Sequence, residues 1–586
     1  MIDILKIFNT VKYMTFRQWK YRFYYTIRNS CFSRKAIKEK KINNIKPISL
    51  NYCNAVLKTE TMLSANNILN NTFDTVAGIK KSFDETIDWD LKNEKYRLVC
   101  FRLNSFKWLL ELSDAYKNSK DIKYIKKGFD LIDNWNLNSG GNIIGDKWNP
   151  YVIAERLMNW IGFCSEYYEL IGNDIEKYAI WIYQQAHELK HSIEYQLGAN
   201  HLLSEAKALV AAGVFLQDQS LYTSGKKILR EEFDVQFLPD GGHYERSISY
   251  HVESLQQYFE VIVIMNLNND YEFESFIEMV KPSYLFLNGI ISVQGKIPLF
   301  NDSAYDYPFF DARDFLSTAE LFYEDAPPNG RRLDYFEHWN ISNFSKHKII
   351  WEKQNLYEDT GYFHYIMKKE NIRYSVFFDV ANSGPDSNLG HAHADALEIL
   401  LSSSEKEILI DSGVFTYEPG VERSECRSTK AHNTVEVDES NSAEIWSAFR
   451  VARRGHTTIR EYSNKDNKVL ISAVHDGYQK CLKNGVFHER TIVIQNSVIT
   501  IADKLYGKGR HTFSSRFHIG ASCNLKKVDE YTCQIDENVR MKFSLPFQIE
   551  TYKAADLFGI TKEIECIVVF GKMSKNANII TQIFLK

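Results

Sequence analysis

The chain is poor in residues that interrupt or staple a fold. Proline (11) and glycine (28) are scarce for 586 residues. No Pro/Gly/Ser-rich linker or low-complexity stretch stands out, which excludes a largely disordered chain. The nine cysteines, at positions 31, 53, 100, 164, 426, 481, 523, 533 and 566, are odd in number and show no CxxC spacing. A disulfide framework is therefore not expected, and the thiols read as free and buried in a reducing compartment. No charge of one sign dominates: 71 basic against 75 acidic residues leave a net −4. That balance argues against nucleic acid as partner, while leaving room for a local basic groove facing an acidic ligand. No apolar run approaches the length of a membrane span. The segment MIDILKIFNTVKYMTFRQWKYRFYYTIRNS lacks both the unbroken apolar core and the small-residue cleavage site of a secretory signal. The chain as written reads as cytoplasmic, with a periplasmic location as the alternative. This basic, aromatic segment is expected as a helix or arm packed on the body, ahead of an amphipathic helix lying on an anionic membrane face.

Aromatic residues, by contrast, are plentiful at 14%. They suit a carbohydrate cleft, where rings stack on sugar faces, and equally suit large buried cores. The length calls for two or three domains. From about residue 90 to 345, segments such as YRLVCFRLNSFKWLLELSDAYKN and HLLSEAKALVAAGVFLQ carry apolar residues at three- and four-residue spacings. Short turns between such helices predict antiparallel pairs that close into a toroid or solenoid. From about 350 the period shifts to two, in YSVFFDVAN, KVLISAVH and RTIVIQNSVITIADKLYG, with Asn-Ser at a tight hairpin turn. The expected organisation is multidomain α + β. It consists of an N-terminal arm (1–60), an incomplete (α/α) toroid (61–345) and an antiparallel β-sandwich (346–586), with a binding cleft between the last two.

Three helical segments carry polar residues that packing does not demand. In the first, Trp148 precedes a helix on which Arg156 and Asn159 share one face, and an ordinary amphipathic face is the favoured reading. In the second, GANHLLSEA, Asn200 reads as a helix N-cap and His201–Glu205 as a local i, i+4 pair; either polar group is also able to face an anion. In the third, DGGHYERSISYH, a helix would put His243, Arg246 and Tyr250 on one face. Neighbouring positive charge there would favour the phenolate of Tyr250.

The stretch GHAHADALEILLSSSEKEILIDSG holds the densest chemistry. Two apolar runs around SSSEKE predict a hairpin, and His391 and His393, two apart, project from one face of an extended segment. Asp411 ends the returning strand and His432 opens the next β run. Two of these imidazoles with the Asp411 carboxylate are a plausible Zn²⁺ set, with the remaining histidine left for chemistry; a hydrogen-bonded polar cluster at a sheet edge is the alternative.

Taken in order, WNPYVIAERLMNW, GANHLLSEA, DGGHYERSISYH, GHAHADALEILLSSSEKEILIDSG, RSTKAHNTVEVD and FHERTIVI…IADKLYGKGRH resemble the heparinase II/III-like polysaccharide lyases. The resemblance spans about Trp148 to His518. It implies β-elimination on an acidic, uronic-acid-containing polysaccharide, possible only if the uronate carboxylate is neutralised while the C5 proton leaves. By this resemblance Tyr250 is the acid, and the base too for one C5 configuration. Asn200 or His201 faces the carboxylate, and His391 is a neutraliser or alternative base. Trp148, Arg156, Glu205 and Arg246 are candidate substrate contacts, and His393, Asp411 and His432 match positions that hold a structural zinc. No Lys/Arg cluster for sulfates stands out. Two other readings are a non-catalytic glycan-binding or assembly factor, and a hydrolase recruiting two of Glu155, Glu205, Asp240, Glu245 and Asp302.

Overall fold

The computed structural model of the chain describes residues 4–31, 37–48 (without 39 and 43), 59–306 (without 77, 93, 140 and 142), 312–324 (without 320), 346–350 and 354–586. Helices occupy its first half: α1 (Ile4–Val11), α2 (Phe16–Cys31), α3 (Thr59–Leu69), α4 (Arg97–Ser105), α5 (Leu109–Ser119), α6 (Lys123–Ser139), α7 (Pro150–Glu166), α8 (Tyr168–Ile171), α9 (Ile175–Ser192), α10 (Ala199–Phe215), α11 (Gln219–Gln236), α12 (Ile248–Leu267), α13 (Phe273–Ile290) and α14 (Ala312–Ala319). Successive helices pair through short turns into the incomplete toroid. α10 has all but one of its residues buried, Glu205 and Lys207 among them. It packs against α7, α9, α11 and α12, the position that such a helix requires. Its approach to α11 is close because Gly225 has no side chain: a Cβ there would stand 2.5 Å from the Ala206 carbonyl oxygen.

The helical pattern expected to run to 345 is interrupted between α13 and α14, and 325–345 lie outside the described residues. After Ile290 the chain crosses 291–306 without regular structure, and this stretch carries Asn301 and Asp302 into the interior. The expected boundary near 340–355 falls largely on residues outside the described set. So does the end of the expected arm, since 49–58 are not described.

The second half is antiparallel β. Strands Leu356–Tyr357, Tyr362–Lys369, Ile372–Asp379, Ile399–Ser403 and Glu407–Leu409 form one sheet in chain order. A ten-stranded sheet is built around the long strands Val498–His518 and Ile560–Leu585. Alternate residues of Val486–Gln495 are buried. One apolar core gathers Phe363, Val376 and Ile399 of the first sheet with Ile492, Ile501 and Ile567 of the second. This is the face-to-face packing of a sandwich. Asn496 (φ 50°) and Ser497 (φ 61°) form a two-residue turn that sets Gln495 opposite Val498, as the Asn-Ser dipeptide predicted. The expected hairpin around SSSEKE is present too, with Leu401 opposite Leu409. Seven cysteines, from Cys100 to Cys566, are free thiols.

Candidate active site

The candidate site residues are fixed by two helix starts in the toroid and one loop of the β half. α10 begins after Gly198 (φ +69°) and Ala199 (φ +60°), a left-handed pair that turns the chain sharply into the helix. The Ala199 N–H donates to the Tyr244 hydroxyl at 3.1 Å, and Gln236 donates to the Ala199 carbonyl at 3.2 Å. Asn200 therefore stands inside the first turn, not at the cap. Its amide donates to Glu253 on α12 at 3.1 Å, and burial together with Glu155 pushes the Glu253 carboxyl up to about 7.

α12 starts at Ser247, whose hydroxyl accepts from the Tyr250 N–H. The residues before it form a turn, with Gly241 at φ +91° and Arg246 at φ +58°. The expected helical face of His243, Arg246 and Tyr250 thus does not exist. His243 is buried against Gln236 and Ser254. Arg246 donates to the Thr360 and Asp359 carbonyls at 2.8 and 3.2 Å, fastening toroid to sandwich.

Asp302 is the centre of the cluster and is 1% exposed. Arg423 binds it through both terminal nitrogens, at 2.5 and 2.6 Å. His391 Nδ1 donates to Oδ2 at 2.9 Å and His393 Nε2 to Oδ1 at 2.8 Å. Burial alone would raise its pKa, but Arg423 and the two imidazoles hold the carboxyl well below its usual range. Both histidines of the HAHAD stretch thus reach one carboxylate, although their segment is not a strand.

With Nδ1 committed to Asp302, His391 turns Nε2 away, 3.9 Å from Glu245. Its ring stacks on Tyr250 with 3.8 Å between centroids. The Tyr250 hydroxyl meets that of Tyr417 at 2.9 Å, and Arg423 lies over the Tyr417 ring at 5.0 Å. Glu245 is buried, with its carboxyl pKa raised by burial despite His391 and His201 nearby. His201 is a third exposed. Its ring stacks on Tyr151 at 4.3 Å, and its Nδ1 pairs with Glu194 at 3.0 Å. Burial pulls this imidazole down, but Glu194, Glu253 and Glu245 more than reverse the shift and leave it raised.

Tyr250, His391, Asn200 and His201 therefore converge on one junction, held through Glu245 and Glu253. The predicted substrate contacts behave otherwise. Arg156 is fully buried over the rings of Trp135 and Trp148, at 4.1 and 5.5 Å. It donates to Gln185, Asn104 O and Lys147 O at 2.6, 3.1 and 2.9 Å. Burial pulls its pKa down to about 9. Trp148 is 5% exposed and donates to the Ser139 carbonyl. Glu205 is fully buried and accepts from the Glu194 N–H at 2.8 Å, with no pairing to His201. Burial and Glu194 raise its pKa well above the usual value. The polar groups of these three residues are taken up by neighbours within the toroid. Arg246 serves the domain junction.

Two of the five carboxylates that a hydrolase would recruit are engaged elsewhere. Asp302 is saturated by Arg423 and two histidines, while Asp240 accepts from the Thr360 N–H and hydroxyl at 2.7 and 2.6 Å.

Below His393 lies a second buried group. His432 Nδ1 donates to Asp411 at 2.7 Å and stands 3.5 Å from Glu398. Glu398, Asp411 and His432 offer ligand atoms that all lie within 4.8 Å of one another, and the His393 ring is 5.2 Å from that of His432. His393 Nδ1, His432 Nε2 and one Glu398 oxygen are buried without a hydrogen-bond partner. Glu398 joins the expected set, and its signal was a glutamate inside the apolar run ALEILL. Tyr417 and Arg423 carried no such signal: one is a tyrosine among 34, the other an arginine in the short helix Val421–Cys426.

The heparinase II/III N-terminal family pattern matches residues 21–327, and the heparinase II/III-like C-terminal pattern matches 352–564. A heparin-sulfate lyase of Bacteroides stercoris is 21% identical over 546 residues, covering 85% of this chain and 76% of that protein. A heparin-sulfate lyase of Bacteroides thetaiotaomicron is 21% identical over 397 residues, covering 62% of this chain and only 55% of its own length. The crystal structure of heparinase III superposes with a TM-score of 0.74 at 18% identity, over 93% of this chain and 87% of that one. A chondroitin AC lyase of Streptomyces coelicolor gives 0.56 at 9% identity, over 90% and 78%.

Proposed function

The chain belongs to the heparinase II/III family, and from that premise we propose that it is a polysaccharide lyase cleaving an acidic, uronate-containing glycan by β-elimination. The observation that carries this reading is the stacked Tyr250–His391 pair, held by Asp302 at the junction of toroid and sandwich. A uronate C5–H is weakly acidic, and the developing enolate must be met by hydrogen-bond donors. Asn200, with His201 beside it, supplies a polar lip for the carboxylate. Removal of the C5 proton and departure of the 4-oxygen leave a C4=C5 double bond, with the oxygen protonated as it goes. The Tyr250 hydroxyl, paired with Tyr417, is the acid for that oxygen. His391 Nε2 is free to take the C5 proton, because Asp302 holds the Nδ1–H and thereby the tautomer. Tyr250 takes this second role for the opposite C5 configuration.

We assign a structural divalent cation, zinc by its donor chemistry, to Glu398, Asp411, His432 and His393. The buried atoms without partners fit this assignment. So does His393, whose other nitrogen is already given to a carboxylate, as ligating histidines commonly are. A bound ion would pin the segment that presents His391.

The test is ultraviolet absorbance during incubation with uronate polysaccharides, including heparan sulfate, hyaluronan, chondroitin and alginate. Growth of an unsaturated-uronate signal is expected. New reducing ends without that signal would make the protein a hydrolase and overturn the proposal.

A further inference from the structure

The two N-terminal helices are amphipathic in the inverse sense of helices that cover a core. α2 meets the body through a polar and tyrosine face. Arg17 pairs with Glu232 at 2.5 Å, Gln18 donates to the Ser387 carbonyl at 3.1 Å, the Tyr21 ring lies 4.5 Å from Tyr195, and Arg28 donates to the His191 carbonyl at 2.6 Å. α1 is held the same way: Thr10 accepts from Trp446 at 3.1 Å, and the Asn9 carbonyl accepts from Arg454 at 3.2 Å. The apolar side chains point outward. Ile4 is 80%, Phe8 58%, Phe16 84% and Phe23 70% exposed, with Trp19 and Tyr24 half exposed between them. On α2 these residues fall at 16, 19, 23 and 24, one helical stripe opposite the docked face.

Between residues 4 and 28 there are six Lys or Arg and no Asp or Glu, in a chain whose net charge is −4. Arg450 of the sandwich approaches Arg22 closely enough to depress it further after burial, so the positive field continues onto the β half.

We propose that this face is a peripheral docking surface for an anionic lipid bilayer. Aromatic and aliphatic side chains would enter the headgroup boundary while lysines and arginines meet lipid phosphates. Arg17 and Arg28 are paired with Glu232 and Glu188 of the body, and an isologous dimer through the same face would set Lys12, Lys20 and Arg22 of two copies against each other. Among the described residues no helix is long and apolar enough to cross a membrane, so the contact lies in the membrane plane. The hairpin bridges toroid and sandwich beside Ser387, next to the Asn388–Leu197 contact that precedes Asn200. Docking there sets the rim of the cleft against the bilayer. This inference does not depend on the chemistry assigned to the cleft.

The test is flotation of the full chain with phosphatidylcholine vesicles, with and without phosphatidylglycerol. Binding is expected only with phosphatidylglycerol, and high salt should reverse it. Phe16→Ser with Phe23→Ser should lower partitioning about a hundredfold, roughly a decade for each aromatic side chain withdrawn from the boundary. The melting temperature should not move, because both residues face outward. Lys12→Glu with Lys20→Glu, also on exposed positions, should lower partitioning by at least about thirtyfold, at about 1 kcal/mol for each lysine charge lost. Failure of the parent chain to float overturns the proposal. So does unchanged flotation of a normally melting double-serine variant, equal binding to neutral vesicles, or a dimer in solution that the serine substitutions dissolve without any flotation.

Discussion

Replacing Asp302 by asparagine tests whether the cluster works as one unit. The substitution keeps volume but removes the counter-charge of Arg423, which has no exposed surface, and one of the two acceptor oxygens shared by Arg423, His391 and His393. Breaking a buried pair from one side costs about 3–5 kcal/mol, because the partner charge stays buried. At roughly 2 °C per kcal/mol for a unit the size of the sandwich, that is about 6–10 °C in melting temperature. The same change frees the His391 ring from its fixed tautomer, and misplacing a reacting group by about 1 Å costs about a hundredfold in rate. Calorimetry and the unsaturated-uronate assay, run on the same preparation, should show both losses. His391→Ala is the control: it leaves Arg423 and His393 on Asp302, so turnover should fall with a melting shift of under about 2 °C. An Asp302→Asn protein that melts within about 1 °C of the parent and turns over normally would refute the reasoning.

Tyr250→Phe should abolish turnover with unchanged melting and glycan retention on an affinity gel, since only a hydroxyl is lost; Tyr417→Phe should reduce the rate and not abolish it. Arg156→Met should destabilise by about 2–4 kcal/mol, leaving Gln185 and two carbonyls unsatisfied, yet KM should hold, whereas a true substrate contact would raise it. Asp503 is paired with Arg490 and His488, and Arg490 and His488 outweigh burial to bring its carboxyl down to about 2, below the usual 3.8. A depressed carboxyl adds stability that is complete above its unfolded pKa and disappears as pH falls through the folded value. Between pH 4 and 2 the parent should therefore lose about 1.8 kcal/mol more than Asp503→Asn does, as measured by urea unfolding.

Much of the architecture was legible because period and burial agree. α10, rich in Leu, Val and Ala, is buried all round and lies at the centre, and Val486–Gln495 alternates as a half-buried strand must. The site was legible where chemistry and sequence distance are both short, as in His391, His393 and the Asp411–His432 pair. It failed where tertiary distance decides. Asp302 and Arg423 are 121 residues apart, and no local pattern marks either as the other's partner. Arg156 and Glu205 misled because a polar residue on a helix looks the same whether it faces a cleft or a ring of tryptophans. The DGGHYERS stretch misled through helix periodicity, since a left-handed Arg246 ends the turn before the helix begins.

The Asp302 cluster also bears on inheritance. Its acceptor comes from the toroid, while Arg423, His391 and His393 all come from the sandwich, so neither half holds a satisfied centre by itself. A chimera that joins the toroid of this chain to the sandwich of a relative will be active only if the donor brings a matching arginine and both imidazoles. Exchange between family members should therefore succeed by whole-chain replacement more readily than by shuffling halves, which ties the evolution of the helical ring to that of the sheets it faces.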